Sequence, residues 1–385
     1  MAAGGHRHRL RRITLAAALF ATAAAAEPLP HPQTPAKLPG WAEDRHAEAL
    51  AAFRAGCAVF AGPRPTAGNP PVNPPVPPPG LLPLCAEAAR LPPQDDAAAR
   101  RFFERRFLAE PAGEGLMTGY FEPEVRGSLA PGPGFPAPLR PRPADLLELD
   151  PTAPTVAGRG IVRLAGDRIE PYPDRAGIEA GALDAVAPPF LWLADPVEKF
   201  FLQIQGSGRI RLPDGSLLRV GYAGQNGHPY VPIGRILIER GAIPREAMSL
   251  QAIRAWLAAA PPPEAAALIA ANPSYVFFRR VEGLSPEQGP IGTLGAPLTP
   301  GRSLAVDPAV IPLGLPVWAD TRDPLTGQPL RRLMLAQDTG GAIRGRGRAD
   351  WFWGWGAWAE ERAGRMREVA ALTLLRPRPP AAGSP

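Results

Sequence analysis

Cysteine and histidine are scarce here: two Cys and five His in 385 residues. Two isolated Cys and scattered His lack the spacing of a zinc site, so no metal is expected. The shortage of His leaves Ser-His-Asp and Cys-His nucleophile systems poorly supported. Neither a GxSxG elbow nor an HExxH helix occurs. No GxGxxG follows a strand-like run and there is no Walker motif, so no cofactor is expected either. A strong charge excess is also missing. The formal charge is +6, but Arg7, Arg9, Arg11 and Arg12 supply four of it. No acidic residue precedes Glu27, which leaves +2 from there on. That is weak ground for a nucleic-acid partner. The longest apolar run, near residues 13–26, is too short and too rich in Ala for a membrane span.

What the chain does have is 53 Pro and 41 Gly beside 45% hydrophobic residues and eight Trp. The Pro and Gly content approaches low complexity, but the apolar content is enough for one or two cores with Pro-rich connections. The first residues, MAAGGHRHRLRR, form a basic segment. Ile13 to Ala21 follow as a short apolar segment, and Thr22 to Ala26 are small. This predicts a cleavable signal peptide over residues 1–26 and a periplasmic protein; the alternative is a basic tail. No Cys precedes Cys57, so no lipid anchor is expected at the cleavage site. In an oxidising compartment Cys57 and Cys85 are expected to bridge, closing a 28-residue loop worth about 3 kcal/mol. The alternative is two buried thiols. The Pro-rich stretch 63–79 between them reads as an extended surface loop.

Residues 42–60 and 94–108 have helical spacing, the first with Leu50, Phe53 and Cys57 on one stripe. Residues 116–126 read as a strand running into a turn. From 155 to 236 short apolar runs alternate with turn residues, including KFFLQIQGSGRIRL (199–212) and an Asp214-Gly215 hairpin signal. This region reads as antiparallel β, barrel-like. Residues 246–271 return to helix. After Asn272 come five β runs, a helix at AEERAGRM, and a last strand at VAALTLL. The reading is a mainly β protein with helical decoration.

With nucleophile systems set aside, the chemistry falls to carboxylates. Asp307 in SLAVDP, Asp338 in LAQDTGGAIRG and Asp350 in GRADWFWGWG each end an apolar run beside Gly or Pro, or follow a Gly-rich stretch. Polysaccharide cleavage needs an acid that holds its proton near neutrality, and apolar surroundings raise a carboxyl pKa. Asp350 precedes Trp351, Phe352, Trp353 and Trp355, the most aromatic stretch of the chain, and is the expected acid. Asp338, followed by Thr339-Gly340-Gly341, leaves room for backbone amides that would keep it ionised as a partner. The alternative is that these Asp only cap turns. Trp351, Trp353 and Trp355 could stack on sugar rings or fill a core. Gln205 and Ser207 in QGSG could bind hydroxyl and acetamido groups, or mark a bulge.

Six stretches in order resemble the MltA family of lytic murein transglycosylases: TGYFEP (118–123), FFLQIQGSGRIRLPDG (200–215), RVGYAGQNGHPYVPIGR (219–235), NPSYVFFR (272–279), GTLGAPLTPGRSLAVDP (292–308) and QDTGGAIRGRGRADWFWGWG (337–356). The resemblance spans roughly residues 45–370. It implies a double-psi β-barrel domain over 40–122 and 287–375, with a smaller β-barrel domain inserted over 123–286 and a groove between them. Residues 376–385 would be a Pro-rich tail. The implied reaction is non-hydrolytic cleavage between N-acetylmuramic acid and N-acetylglucosamine in peptidoglycan glycan strands, ending in a 1,6-anhydro sugar. Asp350 would be the single acid and base, and Asp338 would support it. Tyr120, Gln205, Ser207 and Asp307 would bind substrate. The family's lipid-bearing Cys has no counterpart here, so association with the outer membrane does not carry over. Two rival readings are a β-glycan hydrolase, with Glu122 or Asp338 as the second carboxylate, and a non-catalytic wall-binding module.

Overall fold

The structure, a computed structural model, describes residues 33–62, 76–149 and 160–379. The expected signal peptide and most of the Pro-rich loop lie outside the described residues. No helix among those described is long and apolar enough to cross a membrane.

Among the described residues the first α-helices are α1 (His46–Ala61), α2 (Leu81–Arg90) and α3 (Asp96–Arg106). The stripe Leu50, Phe53 and Cys57 is buried, as its spacing requires. A Cys57–Cys85 disulfide ties α1 to α2. The Asp95 carboxylate caps α3 by accepting from the Ala98 amide at 2.9 Å, and Arg105 and Arg106 sit in its last turn. Phe53, Phe102, Phe103 and Phe107 interlock with ring centroids 5.2–6.0 Å apart, anchoring these helices beside the first strand.

That strand, β1 (Phe107–Glu122), starts well before the expected residue 116. Pro111, Gly113 and Gly115 disguise it in the sequence. In the fold Gly113 has φ 126° and lies at a bulge, while the strand pairs from Phe107 to Thr118 with the last strand.

From β1 the chain passes through β2 (Glu124–Ser128), β3 (Ala137–Leu139), β4 (Leu146–Glu148), β5 (Ile161–Ala165), β6 (Arg168–Pro171) and α4 (Arg175–Glu179). It continues through β7 (Leu191–Leu193), α5 (Pro196–Gln205), β8 (Ser207–Arg211), β9 (Leu217–Gln225) and α6 (Ile233–Glu239). Next come α7 (Leu250–Ala259), α8 (Pro262–Ala270) and β10 (Val276–Val281). These strands form a six-stranded sheet, β10-β9-β8-β2-β7-β3, and a small sheet, β4-β5-β6. The Phe278 amide donates to the Arg140 carbonyl at 3.0 Å. That bond brings β10 to the end of β3, so the expected smaller barrel is a sheet curled nearly shut.

One expected strand is a helix. KFFLQIQ forms α5, because Asp195 caps it through the Val197 amide at 2.7 Å, Pro196 opens it, and Gly206 closes it at φ 77°. Its Phe200 and Phe201 enter one apolar cluster and Leu202 another, so two opposed faces are buried. Burial on both faces masks helical periodicity in the sequence.

The chain then returns through β11 (Ser303–Val306), β12 (Pro316–Arg322), β13 (Pro329–Asp338), β14 (Ala349–Trp355), α9 (Gly356–Arg365) and β15 (Arg367–Pro377). With β1 they close a six-stranded barrel, β1-β14-β11-β13-β12-β15. The β1/β14 and β11/β13 pairs are parallel and the others antiparallel. The junction between barrel and insert centres on Glu122, fully buried at the end of β1. Its Oε2 accepts from Arg209 Nε and Arg219 Nη2, and its Oε1 from Arg219 Nε, each at 2.9 Å. The same two guanidiniums hold the Pro286 and Gln288 carbonyls, where the chain comes back toward the barrel.

Candidate active site

Strand register assembles the site. Thr118 on β1 pairs with Asp350 on β14, Asp350 with Ala305 on β11, and Ala305 with Asp338 on β13. Paired residues share a face, so Thr118, Asp350, Ala305 and Asp338 form one row across four neighbouring strands. Ala305, the smallest of them, separates the two carboxylates.

Asp350 Oδ1 accepts from the Thr118 hydroxyl at 2.8 Å. Burial pushes its pKa up to about 6. The Thr118 bond and the Arg348 charge pull the other way, and Asp338 adds a further push upward. Asp338 is held from two sides. Thr293 donates to Oδ1 from its amide and its hydroxyl, both at 2.9 Å, and the Tyr120 hydroxyl donates to Oδ2 at 3.0 Å. Gly292 makes this possible: a Cβ there would lie 2.6 Å from the Gln337 carbonyl, keeping Thr293 away. Amides do bind Asp338, as its sequence context suggests, but they come from Thr293 as well as Thr339. Burial outweighs them and the Asp338 pKa is raised as well. Tyr120 packs on Phe352 with centroids 5.2 Å apart, and burial together with Asp338 keeps its phenol protonated.

The remaining expected residues have other partners. Asp307 accepts from the Ala309 amide at 3.1 Å and the Gly345 amide at 2.7 Å. The Gly345 bond is the main reason its pKa is lowered. It closes its own turn and holds the Arg-rich loop that leads into β14. Gln205, the last residue of α5, accepts from the Phe121 amide at 3.1 Å and so links insert to barrel beside Tyr120. Ser207 is buried at the start of β8, paired with Gly221. Trp351 and Trp353 are barrel core, stacked 5.5 Å apart, and Trp355 lies 3.9 Å under the Arg209 guanidinium. Trp351 and Trp353 are therefore not left for sugar stacking. Glu122, a candidate second carboxylate, has both oxygens occupied by guanidinium N–H groups. No group of three His, Cys, Asp or Glu among the described residues could hold a metal ion.

The MltA specific insert domain matches residues 116–279, and the 3D domain matches residues 302–376. A solved membrane-bound lytic murein transglycosylase from Agrobacterium tumefaciens is 33% identical, with a TM-score of 0.78 over 90% of this chain and 97% of that one. The chain belongs to the MltA family. The barrel strand β1 thus falls partly inside the matched insert, and the 3D match carries Asp307, Asp338 and Asp350. A curated MltA-family relative, membrane-bound lytic murein transglycosylase A of Vibrio cholerae, is 32% identical over 271 residues. That alignment takes in 68% of this chain and 66% of the relative's length. The structure of Escherichia coli MltA with bound chitohexaose is 27% identical, with a TM-score of 0.62 over 92% of this chain and 94% of that one.

Sequence reasoning missed Thr118, Thr293 and Arg348. Thr118 stands inside the TGYFEP stretch, yet nothing in its local pattern marks it. Its partner, Asp350, is 232 residues away.

Proposed function

We propose that this MltA-family chain is a lytic murein transglycosylase in which Asp350 serves as acid and then as base. The observation that carries this reading is the partly buried Asp350 carboxyl on the barrel, with a pKa of about 6, beside an Asp338 that Tyr120 and Thr293 tether. The relative with bound chitohexaose supports a β-1,4-linked N-acetylhexosamine chain as the substrate class. The substrate here is the peptidoglycan glycan strand.

The protonated Asp350 carboxyl gives its proton to the glycosidic oxygen as the bond from N-acetylmuramic acid C1 to N-acetylglucosamine O4 breaks. Positive charge develops at C1. The oxygens of Asp338, fixed by Tyr120 and Thr293, stabilise that charge without reorganising. The Asp350 carboxylate then takes the proton of the sugar's own 6-hydroxyl as O6 attacks C1, giving the 1,6-anhydro ring. The attack is intramolecular, which favours it over attack by water, and no second base is needed. A hydrolase would need a free second carboxylate to activate water. Glu122 is not free, and Asp338 accepts hydrogen bonds from Thr293, Thr339 and Tyr120. We read residues 40–122 with 287–375 as the barrel unit and 123–286 as the insert, with the glycan strand lying between them and Gln205 and Ser207 on the insert side. The protein is exported by its amino-terminal signal peptide and acts in the periplasm.

The test is mass spectrometry of products released from purified murein sacculi by the wild-type protein and by Asp350→Asn. Muropeptides one water lighter than hydrolysis products, lost in the variant, are the expected result. Hydrated reducing ends would overturn the reading in favour of hydrolysis. Binding to sacculi without any product would favour a wall-binding module.

A further inference from the structure

Arg348, whose charge acts on Asp350, stands just before β14. Its Nη2 donates to the Thr118 hydroxyl at 2.9 Å, and Nη1 donates to the Leu116 carbonyl at 3.2 Å and to the Ala349 carbonyl. The guanidinium is thereby fixed by three acceptors. The approach of its loop to β1 depends on two glycines. Gly347, at φ 71°, lies so close to Glu114 and Gly115 that a Cβ on it would meet the Glu114 carbonyl carbon at 2.4 Å.

A threonine hydroxyl has one proton and two lone pairs. The guanidinium N–H takes a lone pair of Thr118 and repels its proton. The proton therefore points away from Arg348, onto Asp350 Oδ1 at 2.8 Å. An oxygen that accepts this bond is a poor place for the carboxyl's own proton. We propose that Arg348 is a positioning residue: through Thr118 it occupies Oδ1 of Asp350 and so places the transferable proton on Oδ2. Without Arg348 the hydroxyl can turn and accept a proton from Oδ1, and a proton held that way is withdrawn from the glycosidic oxygen. The inference rests on the reading of Asp350 as the acid.

The charged and titratable groups facing Asp350 are Arg348 before its own strand, Tyr120 on β1 and Asp338 on β13; β11 presents only Ala305. Of these, Arg348 alone is cationic. Its removal should therefore make Asp350 hold its proton to higher pH.

The experiment uses the full protein labelled with aspartate carboxyl carbon-13. The Asp350 resonance is assigned by its loss in Asp350→Asn. Arg348→Gln is expected to raise the Asp350 titration midpoint by about 0.5–1 pH unit, since Arg348 is only partly buried and water screens it. It should lower kcat on sacculi by about tenfold with KM unchanged, and move the alkaline limb of the pH profile upward by the same amount as the midpoint. Arg348→Lys, which keeps one charged donor, should fall between the two. In a Thr118→Val background, Arg348→Gln should cost less than about twofold further, because the connecting hydroxyl is gone. An unmoved midpoint, or the same kcat loss in both backgrounds, would overturn the proposal. A shifted midpoint in a protein whose Asp350→Asn variant still forms anhydro product would support the hydroxyl relay and overturn the assignment of the acid.

Discussion

Two carboxyl groups, one partly and one fully buried, stand at opposite ends of the same strand pair. Asp350 lies opposite Thr118, and Glu122 lies opposite Trp355. Both have raised pKa values, and burial is the leading cause for each. Their partners differ. Asp350 accepts one bond from a neutral hydroxyl, which leaves an oxygen for a proton. Glu122 accepts three bonds from two guanidiniums, and neither oxygen is free. Burial alone therefore does not make an acid. The number and charge of the donors decide whether a carboxyl can exchange a proton or only hold two parts of the chain together.

Substituting each carboxyl should give opposite outcomes. Asp350→Asn is expected to reduce anhydro-product formation by about a thousandfold, within the range of general acid–base contributions. The same change should stabilise the fold. The folded pKa of Asp350 lies above its unfolded value, so its stabilising contribution is complete below about pH 4 and is lost as pH rises through about 6. Denaturant unfolding should thus show Asp350→Asn about equal to wild type at pH 4 and more stable by about 2 kcal/mol at pH 7. In the wild type, kcat/KM should fall as pH rises through about 6, as the acid loses its proton. Glu122→Gln should do the reverse, costing about 3–5 kcal/mol of stability by leaving Arg209 and Arg219 without their counter-charge. Activity per folded molecule should persist at low temperature. A Glu122→Gln protein that is stable but inactive would break the comparison.

Smaller changes sharpen it. Tyr120→Phe removes the hydroxyl donor to Asp338 Oδ2 while keeping the ring on Phe352. It should lower kcat by about tenfold, with KM little changed, if Asp338 acts on charge formed only in the transition state. Asp307→Asn should have the smallest effect, about two- to fivefold in kcat/KM, because it loosens Gly345 in the loop before β14 and touches neither carboxylate. Steady-state kinetics on a defined glycan chain would check both.

Much of this was open to reading in the sequence because the signals are local. The stripe of α1, the Asp-capped α3, the Asp214-Gly215 hairpin and the β runs after Asn272 all carry their own period and punctuation. Asp350 could be picked out from its aromatic neighbours, although Trp351 and Trp353 turned out to be barrel core. Other features lay beyond local patterns. The early start of β1 was hidden by Pro111 and Gly113, which a strand tolerates only through a bulge supported by β15. The helix α5 was hidden because two cores bury its opposite faces. Asp307 reads like its two companions in sequence, and only the Gly345 amide shows it to be a loop anchor.

The sequence by itself determined the family, the mainly β character and the candidate acid, since composition, period and motif order are properties of neighbouring residues. The tertiary structure decided which carboxyl can act. Register across β1, β14, β11 and β13 set Thr118 against Asp350, and Tyr120 and Thr293 against Asp338. Closure of the junction committed Glu122 to two arginines. A carboxyl's proton affinity depends on what surrounds it in space, and every deciding donor here is brought to its acceptor by the fold from a distant part of the chain.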